Sequence, residues 1–89
     1  MSLDTTDQAA IETAIFRLLS GRAAGATVSP PEVARAIEPG PQWHRLMTAV
    51  RRVAVELALA GRITILRKGK PVDPGDFKGV YRLGLPRQD

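Results

Sequence analysis

The fold of this chain is decided by the stretch QWHRLMTAVRRVAVELALA, residues 42–60, which is followed by Gly61. At about 100° per residue, four of its apolar side chains fall within about 60° of one another on a helix. These are Leu46, Val50, Val53 and Leu57, flanked by Trp43, Met47 and Ala54. The pattern predicts one long helix from about Pro41 to Ala60, with this stripe buried and Gly61 as the C-terminal cap.

The opposite side of this predicted helix changes character halfway along. Its first half carries His44, Arg45, Thr48, Arg51 and Arg52, and its second half carries Val55 and Leu59. The first half therefore suits solvent or a polar partner. The second half needs cover, and we expect it from the C-terminal strands of the same chain, with a second subunit as the alternative.

The residues before the long helix predict a shorter helix and a tight turn. In Ser29-Pro30-Pro31-Glu32, serine is an N-cap, Pro30 takes the first helical position and Glu32 completes a capping box. This second helix would begin at Pro30 and bury Val33, Ala34 and Ile37. The turn at residues 38–41, EPGP, is so short that the two helices must cross steeply, as in a helix-turn-helix.

The N-terminal third of the chain predicts a core helix and a short extended link. Thr5 and Gln8 have the spacing of a capping box, and the helix is expected to continue to about Leu19. Its apolar stripe consists of Ile11, Ala14, Ile15, Leu18 and Leu19. Phe16 lies off this stripe, either at the edge of the core or in contact with a partner. Residues 26–28 suffice for a short strand.

Two β-branched, alternating runs follow the long helix, at residues 62–67 and 79–85, and they predict an antiparallel hairpin. The connection between them, residues 68–78, contains two prolines and two glycines and is expected to be long and irregular. Its cations, Lys68, Lys70 and Lys78, and the neighbouring Arg67 can reach a phosphate backbone. Asp73 and Asp76 partly cancel this charge, or orient the loop through turn hydrogen bonds.

Composition restricts the remaining possibilities. The 89 residues allow a single domain, 1–89, with an ordered core over about 5–85 and short flexible termini. With no cysteine and one histidine, a metal site is not expected. No catalytic triad, P-loop or dinucleotide-binding loop is present, so we expect neither an enzyme nor a cofactor or small-molecule substrate. No apolar run is long enough to span a bilayer, and a soluble cytoplasmic protein is expected.

Charge is distributed unevenly along the chain. Residues 1–42 contain 3 arginines and 5 acids, a balance of −2, whereas residues 43–89 contain 10 cations and 4 acids, a balance of +6. A basic half that includes the candidate binding helix is what phosphate recognition requires. A coding bias toward arginine would explain the excess equally well.

The order helix, extended link, helix, tight turn, long helix and hairpin resembles the winged helix-turn-helix fold over about residues 5–85. This resemblance implies an α+β fold, a three-helix bundle with a C-terminal β-hairpin wing. Three stretches are also similar to a small bacterial family of uncharacterised winged-helix proteins, a domain of unknown function. They are SPPEVARA at 29–36, WHRLM with VRRVA at 43–54, and GKPVDP at 69–74. The family resemblance implies no activity.

In winged helices the first half of the third helix enters the major groove, so the resemblance implies binding to double-stranded DNA. We expect Arg45, Thr48 and Arg52 to form the contact row, with Arg45 reading guanine and Arg52 holding a phosphate. The remaining candidates on the helix and wing are His44, Arg51, Arg67, Lys68, Lys70 and Lys78. The competing interpretation of this row is a solvated arginine face.

Two further alternatives remain open from the sequence. Trp43 is expected to anchor the helices in the core rather than to stack on a nucleic-acid base. The protein could instead be an adaptor that binds another protein or forms a homodimer, and in that case Phe16, Val55 and Leu59 are the candidate interface.

Overall fold

The computed structural model describes residues 3–23 and 25–86, with the side chains of residues 3–7 left out. This part of the chain contains three α-helices, one 3₁₀ helix and a four-stranded antiparallel sheet, which confirms the predicted α+β class. The helices are α1 (Leu3–Ser20), α2 (Pro30–Ile37) and α3 (Met47–Leu59). The predicted flexible termini fall mainly outside the described residues.

Helix α1 begins earlier than predicted, at Leu3, so Thr5 lies inside the helix and is not its N-cap. The predicted bonds of the Thr5–Gln8 capping box lie outside the described side chains. The buried side of α1 carries Ile11, Ile15 and Leu19. These residues were expected in the apolar stripe, and their burial is confirmed.

Helix α2 begins at Pro30, as its sequence predicts. The Ser29 hydroxyl accepts a hydrogen bond from the Glu32 amide at 3.3 Å, and the Ser29 amide donates to the Glu32 carboxylate at 2.9 Å. The reciprocal bonds satisfy two backbone N–H groups that a helix start would otherwise leave unpaired. Val33 and Ala34 are fully buried, and Ile37 is partly buried.

The predicted single helix from Pro41 to Ala60 is wrong in its first turn and a half. Residues Pro41–Leu46 form a 3₁₀ helix, and α3 continues from Met47 to Leu59. A 3₁₀ turn is a common way to start a helix, and it winds the backbone more tightly, so side-chain positions before Met47 differ from α-helical spacing. Gly61 has φ +76° and closes the far end, where the Arg62 amide donates to the Leu57 carbonyl.

The sheet contains β1 (Thr27–Val28), β2 (Thr64–Arg67), β3 (Lys70–Pro71) and β4 (Arg82–Gly84), in the order β1-β4-β2-β3. The two predicted C-terminal strands do pair, with Ile65 opposite Leu83. Their connection is not wholly irregular, because β2 first turns back on itself to pair with β3. Lys68 (φ +54°) and Gly69 (φ +80°) form this two-residue turn. Two positive φ angles in succession are typical of a type I′ hairpin turn.

One hydrophobic core lies between the helices and the sheet. The predicted stripe of Leu46, Val50, Val53 and Leu57 is buried. It meets Ile63 just before β2, Ile65 and Leu83 from the strands, and Phe77 and Tyr81 from the loop between β3 and β4. In the described part of the chain, none of the helices has the length and apolar character needed to cross a membrane.

Candidate nucleic-acid interface

The outward side of the 3₁₀ helix and α3 presents the predicted contact row to solvent. His44, Arg45, Thr48 and Arg52 are all exposed. Thr48 and Arg52 are one turn apart on α3 and share a face. The prediction placed Arg45, Thr48 and Arg52 on one face of a single α-helix. Arg45 instead belongs to the 3₁₀ helix, so its position relative to Thr48 differs from α-helical spacing.

Arg51 does not occupy the outward position that helical spacing predicted. Its guanidinium is half-buried, and it donates a hydrogen bond to the Phe77 carbonyl oxygen at 2.8 Å. It also lies 4.1 Å from the centroid of the Phe77 ring and 5.7 Å from that of Tyr81. Arg51 therefore ties the loop at residues 72–81 to α3, because a guanidinium can satisfy a carbonyl and cover an aromatic face together.

The cations of the C-terminal half fall into two groups. Lys68, Lys70 and Lys78 are exposed. Arg67 is half-buried, and its Nε donates to the Val80 carbonyl at 3.0 Å, which orders the end of the loop. At the start of the loop, the Asp73 carboxylate accepts a hydrogen bond from the Gly75 amide at 2.9 Å, in the turn-orienting role considered for it above.

The ion pairs of the described residues do not include any residue of this row. Arg22 pairs with Glu32, Arg82 approaches the same carboxylate at 3.7 Å, and Arg62 contacts Glu12 at 2.8 Å. Within residues 8–23 and 25–86, no carboxylate lies within 4.0 Å of the cationic groups of Arg45, Arg52, Lys68, Lys70 or Lys78. These five residues and Thr48 are called the basic surface below.

Among the described residues, Glu32 is a carboxylate whose pKa is strongly lowered by its surroundings. The hydrogen bond from the Ser29 amide, together with the bond from the Arg22 guanidinium, lowers the pKa of Glu32 from 4.5 to about 2. Two arginine charges are thereby partly neutralised at the junction of β1 and α2, remote in sequence from α3. Within the described residues, no three His, Cys, Asp or Glu side chains group as metal ligands.

Trp43 is a partly buried side chain at the edge of the core, not a fully buried anchor. Its ring stacks on the His44 imidazole, with centroids 3.7 Å apart and planes inclined by 25°. The Arg35 guanidinium from α2 lies 4.5 Å from the Trp43 centroid. Sequence reasoning missed Arg35, since no local pattern shows that the last turn of α2 meets the 3₁₀ helix.

The candidate partner residues have different environments. Phe16 is partly buried and lies under the Arg62 guanidinium, 4.9 Å from the ring centroid. Val55 is also partly buried against the core. Leu59 is 66% exposed, so the C-terminal strands do not cover it as predicted.

Comparison with known proteins places the chain in a family. No curated protein shows significant similarity to it. Residues 8–86, most of the chain, match the family described as "Protein of unknown function (DUF3253)". The chain therefore belongs to the DUF3253 family.

Proposed function

We propose that this protein is a winged helix-turn-helix protein that binds double-stranded DNA. The order of its elements supports the proposal: α1, β1, α2, a tight turn, the 3₁₀ helix with α3, and then the strands. In this interpretation the 3₁₀ helix and the first turns of α3 enter the major groove, and the β2–β3 hairpin is the wing.

The observation that carries the proposal is that the cations of the basic surface lack carboxylate partners among the described residues. Its cations are exposed and have no carboxylate partner among the described residues, whereas the paired arginines, Arg22, Arg62 and Arg82, lie elsewhere. An exposed cation without a partner releases condensed counterions from DNA when it neutralises a phosphate, and this release supplies most of non-specific affinity. An arginine that is already paired supplies less.

The hydrogen bond between Arg51 and Phe77 connects two parts of the basic surface, the helix α3 and the loop before β4. Arg52 and Lys78 each follow one of the two bonded residues in the chain, so the bond holds the loop that carries Lys78 beside the helix that carries Arg52. We assign Arg52 and the hairpin lysines to phosphates. Arg45 and Thr48 are assigned to base edges, because a guanidinium can donate two hydrogen bonds to guanine.

Fluorescence anisotropy with a labelled random-sequence duplex of about 20 base pairs tests the proposal. At low salt we expect saturable binding, weakening to a Kd of about 10⁻⁴ to 10⁻⁶ M near physiological salt if binding is non-specific. A protein that gives no anisotropy change at low salt would not be a duplex-binding protein.

A protein-binding adaptor is the second candidate, and the exposed apolar residues favour it. Leu59 is 66% exposed and Val80 is 84% exposed. An adaptor or homodimer would bury such side chains. Light scattering at several concentrations, on the wild type and on Leu59→Glu, tests it: a dimer mass that Leu59→Glu reduces to a monomer would favour the adaptor.

A further inference from the structure

The contact between Trp43 and His44 has no role in duplex binding as proposed above. Trp43 is anchored on one side by the core, and Arg35 and His44 both lie against its ring. One face of the His44 imidazole is occupied by Trp43, yet the residue remains exposed. The stack therefore ends in an aromatic ring that is held in place and open to solvent.

A ring held in this way suits a nucleobase. Unpaired bases stack on the side chains of aromatic residues and histidine, and neighbouring arginines hold the adjoining phosphates. Arg35 and Arg45 are both exposed, and they flank the pair in the sequence; the Arg35 guanidinium also lies against the Trp43 ring. Neither has a carboxylate within 4.0 Å among the described residues.

We propose that His44, supported by Trp43, stacks on an unpaired base, so that the preferred partner is DNA with a single strand next to the duplex. This inference rests on the proposed duplex binding and specifies the kind of DNA that the protein prefers. The internal base pairs of a duplex are stacked on both faces and offer no free face to His44. A single-stranded overhang or a junction does offer one, next to the phosphates that the basic surface contacts.

Three DNAs of equal duplex length separate base stacking from charge. The first is blunt, the second carries an overhang of about six thymidines, and the third carries an overhang of the same length made of abasic sites. Abasic residues keep the phosphates and remove the bases. We expect the thymidine overhang to bind about 5-fold or more tightly than both other DNAs, because each stacked base contributes a factor of this size.

Two substitutions at one position provide matched variants. His44→Phe keeps a ring that can stack, and its ratio of overhang to blunt affinity should stay at about 5-fold or above. His44→Leu keeps that face of Trp43 covered but offers no ring, and the ratio should fall to about one. Trp43 is the only tryptophan, so a change in its emission on addition of single-stranded oligothymidine, but not of an abasic oligomer, reports base binding at the Trp43–His44 stack without a duplex.

Each outcome decides the inference. Equal binding of the three DNAs, or equal gains from the thymidine and abasic overhangs, would overturn it. A ratio that His44→Leu leaves unchanged would overturn it as well. If the blunt duplex does not bind but oligothymidine changes the Trp43 emission and His44→Leu abolishes this change, duplex binding and the preference for a junction both fail, and base stacking on His44 stands.

Discussion

The guanidinium of Arg51 and the backbone carbonyl of Phe77 are joined by a 2.8 Å hydrogen bond, with the same guanidinium 4.1 Å from the Phe77 ring. Arg51 and Arg52 are therefore neighbours in sequence with different tasks. Arg51 faces the loop and holds it to α3, while Arg52 faces solvent with no carboxylate partner among the described residues. Under the proposed function, Arg51 contributes to stability and Arg52 to DNA binding.

Substitution of Arg51 and of Arg52 by alanine should have different effects on stability. Arg51→Ala removes a charged hydrogen bond and a cation–π contact, and we expect it to lower the free energy of unfolding by about 1–3 kcal/mol. Arg52→Ala removes an exposed side chain and should change stability by less than about 0.5 kcal/mol. Urea denaturation of both variants measures the difference. Equal losses would mean that Arg51 does not fasten the loop.

Acid should destabilise the protein through Glu32, whose folded-state pKa is about 2 in place of 4.5. Because the folded pKa is the lower one, the stabilisation is present above pH 4.5 and is lost as the pH falls toward 2. Its side chain is 36% exposed, so solvent screening reduces the contribution to about 1–2 kcal/mol.

Urea denaturation of the wild type and Glu32→Gln over this pH range checks the effect. Glu32→Gln should be less stable near neutral pH and should lose less stability in acid than the wild type does. Parallel pH profiles for the two proteins would assign the acid sensitivity to other carboxylates.

Two substitutions in the turn of the β2–β3 hairpin should change the stability of the protein in opposite directions. Lys68 is the one non-glycine residue with positive φ in the described part of the chain, and asparagine accepts that conformation more readily. Lys68→Asn should therefore raise stability by about 0.5–1 kcal/mol.

Gly69→Ala should lower stability by about 1–2 kcal/mol through its backbone alone. The reason is that Gly69 has φ +80° and a Cβ there would meet nothing within 4 Å. Gly75→Ala, at a glycine without positive φ, is the control for adding a methyl group in the same region. Thermal denaturation of the three variants tests whether Lys68 and Gly69 form a type I′ turn. Destabilisation by Lys68→Asn would contradict this turn type.

Local signals predicted much of the fold because they depend on few residues. The Ser29 capping box fixed the start of α2, and the stripe of Leu46, Val50, Val53 and Leu57 identified the core side of α3. Both rest on interactions within a few turns of helix. The α+β class followed from the order of such signals.

The features that sequence reasoning missed depend on contacts distant in the chain. Arg51 turns inward because Phe77, 26 residues later, offers a carbonyl and a ring. Arg35 meets Trp43 only because the turn at residues 38–41 brings α2 against the 3₁₀ helix. Periodicity cannot distinguish a 3₁₀ start from an α-helical one, since both place apolar residues three or four apart.

Duplex binding by the basic surface is tested most directly by the salt dependence of affinity for a random-sequence duplex, compared between Arg52→Ala and Arg62→Ala. Both variants lose one charge, but Arg62 is paired with Glu12 on α1. We expect a slope of several in log K against log salt, reduced by about one in Arg52→Ala and unchanged in Arg62→Ala. Equal slopes for the two variants, or no binding by the wild type at low salt, would contradict duplex binding by this surface.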